Sequence, residues 1–101
     1  MPEEVSLKEL VQRMRRDADA NPFHPVAGGN ILDFRRDVMF EGVPMKITFT
    51  RTVVYTRQFY QFSVGNGVPD RLVERLKSAF VPNGVEIPSV LGNCRQFLEA
   101  I

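Results

Sequence analysis

A chain of 101 residues, 44% apolar and 25% charged, has the make-up of one globular domain around one core rather than a disordered segment. Its 13 basic and 12 acidic side chains leave a net charge of +1, which argues against tracking nucleic-acid phosphates, a task that calls for a basic excess. One cysteine, Cys94, excludes an internal disulfide and a cysteine-based zinc set, and the lack of a leader-like start or a long apolar run points to a soluble cytoplasmic protein.

Ser6 and Glu9 have the spacing of a capping box. Leu7, Leu10, Val11, Met14 and Ala18 then recur at helical intervals as one apolar stripe. This helix should end at Asn21-Pro22, because a residue before proline is pushed out of the helical region. In the following stretch, Asp17, Asp19 and Asn21 match the first three ligand positions of a calcium loop. Pro22 then stands where the sharp turn needs glycine, and Gly28 where a bidentate glutamate belongs. His24 is the only histidine, without companions for zinc or an evident partner for general-base work. The stretch reads as a connection, with Gly28-Gly29 letting the chain reverse.

From Ile31 to about Gly65 the period changes to two. Taking Glu41 to Pro44 as the first turn sets Phe40 opposite Met45, Val38 opposite Ile47, Arg36 opposite Phe49, Phe34 opposite Arg51 and Leu32 opposite Val53. Taking Thr56 and Arg57 as the second sets Val53 opposite Tyr60, Arg51 opposite Phe62 and Phe49 opposite Val64. Both turns place one set of residues on one face, so the register is self-consistent. The inner face is then Leu32, Phe34, Val38, Phe40, Ile47, Phe49, Val53, Tyr60, Phe62 and Val64. Asp33, Arg35, Asp37, Lys46, Thr48, Thr50, Thr52, Gln61 and Ser63 face out, giving a sheet packed on one side and wet on the other.

Pro69 and Asp70 suit the first turn of a second helix, with the stripe Leu72, Val73, Leu76, Ala79 and Phe80. After "VEIP", Ser89 reads as a cap and Val90, Leu91, Cys94, Phe97, Leu98 and Ile101 as the stripe of a third. The fold class is therefore α+β, a single domain over 1–101: a three-stranded antiparallel β-meander with one face covered by helices, in the order α-β-β-β-α-α. Double-stranded RNA-binding domains share the α-β-β-β-α part of this order. Here, though, Asp70 and Glu74 interrupt Arg71, Arg75 and Lys77, so the basic cluster of those domains is missing. The "GNG" of Gly65 to Gly67 lacks the third glycine of a dinucleotide fingerprint.

No serine sits in a nucleophile elbow, and Cys94 lies on an apolar stripe where a structural thiol is the default. The reading is thus not an enzyme, with no metal and no organic cofactor. Two features stand out. Arg36 and Arg51 fall on the apolar face, where a guanidinium needs a partner. Either they form internal ion pairs, with Glu74 or Glu99, or they join Phe49, Tyr60 and Phe62 in an open groove that binds a small acidic ligand. On the outer face Val54 and Phe59 meet beside the third strand, whose edge is free to pair with another chain. The expected function is a small non-catalytic protein-interaction module that self-associates through a sheet edge or the outer sheet face. The alternative is a small-molecule or anion-binding protein.

Overall fold

The computed structural model describes residues 3–4, 6–24, 34–89 and 92–101. Leu32, Asp33, Gly28, Gly29, Val90 and Leu91 lie outside the described residues. The elements run β1 (Glu3–Glu4), α1 (Leu7–Ala20), β2 (Arg35–Phe40), β3 (Val43–Val54), β4 (Arg57–Gly65), α2 (Asp70–Phe80), β5 (Val85–Ile87) and β6 (Cys94–Ala100). They form an α+β domain whose strands lie in the order β1-β2-β3-β4-β6-β5. All neighbours are antiparallel except β1, which pairs in parallel with β2. No described helix is long and apolar enough to cross a membrane.

The capping box forms: the Ser6 hydroxyl accepts from the Glu9 N–H at 3.3 Å. The helix stops at Asn21, whose N–H bonds the Asp17 carbonyl. Leu10, Met14 and Ala18 of α1 and Leu72, Val73, Leu76 and Phe80 of α2 are buried. They share one core with Val38, Phe40, Ile47, Phe49, Phe62, Val64 and Phe97 from the inner face of the sheet.

The meander is real, but both pairings are displaced by two residues from the expected register: the first turn is two residues shorter, and the second keeps its two residues but lies one position earlier. Glu41 and Gly42 alone make the first turn, with φ of 51° and 77°, the mirror-image turn that matches strand twist. Phe40 therefore lies opposite Val43, Val38 opposite Met45 and Arg36 opposite Ile47. Tyr55 and Thr56 make the second turn, so Arg51 faces Tyr60 and Phe49 faces Phe62. A shift of two residues keeps every strand side chain on its face, which is why Val38, Phe40, Ile47, Phe49, Phe62 and Val64 of the expected inner set are buried, whereas Phe34 precedes β2 and sets its ring edge-on to Phe23 at 6.2 Å. The shift separates Arg36 from Arg51, which are no longer diagonal neighbours.

Two further expectations fail. The third helix, expected after Ser89, is replaced by the strand β6, and the "VEI" before it forms the strand β5. The spacing of Cys94, Phe97, Leu98 and Ile101 suits a helix. As a strand, however, the same segment pairs with β4 from Gly65↔Cys94 to Phe59↔Ala100 and sets Phe97 opposite Phe62. That satisfies main-chain groups on β4 that a helix would have left open, and the expected free edge of the third strand does not exist. The outer face is also not uniformly wet. Thr50 is fully buried, and Thr52 and Ser63 are each 8% exposed. These short side chains lie directly across from the longer Gln61, Phe59 and Gln96, and the Thr50 and Thr52 hydroxyls are 3.3 Å apart in a hydrogen bond.

Candidate functional site

The two arginines on the inner face meet acids from α1 rather than Glu74 or Glu99. Arg36 forms an ion pair with Asp17, each side chain about half exposed. Arg51 donates from Nε to Gln58 Oε1 at 2.8 Å, and its Nη1 lies 4.0 Å from Asp19. The Tyr60 hydroxyl donates to Asp19 Oδ1 at 2.8 Å. Burial raises the Tyr60 phenol above its ordinary range, and the hydrogen bond to Asp19 and its charge add to that. Asp17 and Asp19, which a calcium-loop comparison singles out, are thus the acids that tie the last turns of α1 to the sheet. Glu99 instead accepts from the Asn83 N–H at 2.6 Å.

Arg15 completes this rim, and its part is not visible in the sequence. Its guanidinium lies 4.7 Å from the Tyr60 ring centre and 5.4 Å from that of Phe49. It also donates to the Phe80 carbonyl at 2.8 Å, satisfying an open acceptor in the last turn of α2. One side chain of α1 therefore holds both the aromatic column and the second helix.

Of the residues expected to line a ligand groove, Phe49 and Phe62 are 1% and 0% exposed. Both are packed against Phe80, at 5.0 and 4.9 Å between ring centres. The surface available at this rim is Tyr60 and the arginine heads. Ion pairs this exposed contribute at most about 1 kcal/mol each. Replacing both Arg36 and Arg51 by leucine should therefore change the unfolding free energy in urea by no more than about 2 kcal/mol. A larger loss would show that the two arginines hold more than a surface rim.

No family model matches the chain, and no curated protein or solved structure is significantly similar to it. Its own surfaces must carry the functional argument.

Among the described residues, no three His, Cys, Asp or Glu side chains gather where they could hold a metal ion. His24 is exposed, next to Phe23, whose main chain bridges to Arg51 and Val53. Cys94 is half-buried on the outer face of β6, with its sulfur 3.5 Å from the Ser89 hydroxyl. At the inner side of the same strand, Arg95 makes two 2.9 Å bonds to Glu86 and one of 3.1 Å to Asp70 at the start of α2. The hydrogen bonds from Arg95 hold the Glu86 carboxyl below its ordinary range. This clamp fixes the β5–β6 hairpin to the helix layer.

The outer face has a different character. Both helices pack on the inner side, and cross-strand rows can be followed over the outside. One row runs Thr50, Gln61, Leu98, Val85; the next runs Thr48, Ser63, Gln96, Ile87; a third runs Thr52, Phe59, Ala100. The Thr48 row continues to Arg35 on β2; from β3 across to β5, between Lys46 at one end and Arg57 at the other, the rows contain no charged residue. Phe59, Gln61, Gln96, Leu98 and Ile87 are half-exposed, and Val85 is 67% exposed. Val54 and Phe59 both lie on this face, as diagonal neighbours rather than opposite one another: Phe59 faces Thr52 and Val54 faces Arg57.

Proposed function

We propose that the protein is a non-catalytic interaction module that self-associates through the outer face of β4, β6 and β5. The observation that carries this reading is the uncharged surface of Phe59, Gln61, Gln96, Leu98, Val85 and Ile87. A sheet face exposed only to water ordinarily carries polar and charged residues, whereas the centre of an interface is depleted of charge and enriched in aromatic groups. Two copies of such a face can meet without like-charge repulsion.

The sheet edges are the weaker option for association. β4 is already paired on both sides. β5 is three residues long and lies between Pro82 and Pro88, and short, proline-flanked edges resist strand addition. The alternative, an acidic small molecule on Arg36 and Arg51, would have to compete with Asp17, Asp19 and Gln58 for the same donors.

Light scattering on a sizing column, from low to high micromolar protein, tests the proposal. The expected mass is that of a dimer at the upper end. Val85→Lys and Phe59→Lys, each placing a charge in the face, should return it to a monomer without changing the circular dichroism. A monomeric wild type at every concentration would sink the reading.

A further inference from the structure

Among the described residues, three of the four most exposed large apolar side chains gather at one end of the sheet: Val54 at 40%, Tyr55 at 94% and Ile101 at 62%. Tyr55 is the tip of the β3–β4 hairpin and holds a φ of 56°, a left-handed conformation that glycine or asparagine adopts with less strain. An aromatic ring kept at a strained turn and packed against nothing gives the fold no benefit, and such outliers point toward a role outside it. Directly beside it lies a cavity of about 300 Å³ lined by Thr56, Arg57, Gln58, Phe59, Ala100 and Ile101. Phe59 and Ala100 belong to the outer face, so the cavity adjoins that surface, with Arg57 as the one charged residue in its lining.

Area decides what this end is needed for. Strands β4, β6 and β5, of 9, 7 and 3 residues, at about 3.3 Å per residue and about 4.8 Å apart, present roughly 300 Å². A stable interface takes about 800 Å² from each partner. The face alone falls short, while one aromatic side chain adds about 150–250 Å², and Val54 and Ile101 extend the patch further.

We infer that Tyr55 is the anchor of the self-association interface, inserting into the cavity beside Phe59 of a second copy, which returns its own Tyr55. This rests on self-association through the outer face. One chain carries both knob and hole, so the contact can be reciprocal, as in a two-fold, isologous interface. Arg57 in the cavity wall supplies a cation for the incoming ring.

Tyr60→Phe leaves Tyr55 as the only tyrosine in a chain without tryptophan, so its fluorescence reports on this site alone. The experiment measures acrylamide quenching and mass on the same samples across the concentration range. The expected result is a dimer in which Tyr55 becomes protected as the mass rises. Tyr55→Asn should weaken the dimer at least about tenfold, as loss of a hot spot does. The same change should raise the monomer's melting temperature by a few degrees, because the turn strain is relieved. A dimer whose Tyr55 stays fully quenchable, and which Tyr55→Asn leaves intact, overturns the anchor and leaves the face. A monomer at every concentration overturns both.

Discussion

Replacing Phe80 by alanine should lower the unfolding free energy by about 3–5 kcal/mol, the usual cost of emptying a buried aromatic site. Phe80 is fully buried and stacks at 4.9 Å on Phe62 and 5.0 Å on Phe49. It is the one helix residue in a column that continues through Tyr60 at one end and Phe97 at the other. Its removal leaves a void between the sheet and α2, beside Phe49 and Phe62. Domains of this size are stable by about 5–15 kcal/mol in all, so the variant should sit near the limit of folding. Urea denaturation with an unchanged slope would measure the loss directly. A cost below about 1.5 kcal/mol would mean that the column closes around the gap.

Gly84→Ala should cost about 1–3 kcal/mol, the range for overpacking. A Cβ at Gly84 would stand 2.8 Å from Val81 Cγ2 and 3.0 Å from the Val81 carbonyl oxygen. Val81 is fully buried and cannot give way. The Gly84 N–H also donates to that carbonyl at 2.8 Å, so backing away would break the turn. The effect should appear as a drop of roughly 4–8 °C in melting temperature for each kcal/mol. Gly67→Ala is the control: nothing lies within 4 Å of its Cβ position, and its melting point should stay close to that of the wild type. Equal behaviour of the two variants would contradict the close packing at Val81.

Face assignment was legible in the sequence because alternation is a local property. Val38, Ile47, Phe49, Phe62 and Val64 fall on the core side whichever even register is chosen. The placement of the turns was not legible, since Glu41 and Tyr55 are ordinary side chains in a conformation usually reserved for glycine or asparagine. Nothing in their identity announces a tight turn. The C-terminal segment misled for a different reason: apolar groups at 94, 97 and 98 have helical spacing, and as a strand they divide between the two faces of the sheet. The choice was made by an unpaired β4 edge some thirty residues earlier. The rim around Tyr60 needed Asp19 and Arg15 brought to the sheet by α1, a long-range arrangement that leaves no local pattern. The uncharged outer face was half visible, in the Thr, Gln and Ser residues of β3 and β4. Its extension through Gln96, Leu98, Val85 and Ile87 appears only once β5 and β6 are strands.

The strand order β4-β6-β5 also governs how the sheet can be put together. β5 leaves the chain before β6, yet its one neighbour is β6, so it has nowhere to dock until the later strand is in place. Assembly of this end of the sheet must therefore run against the order of synthesis. The nascent protein carries β4 with an open main-chain edge for as long as it takes α2, the Pro82 turn and β6 to follow.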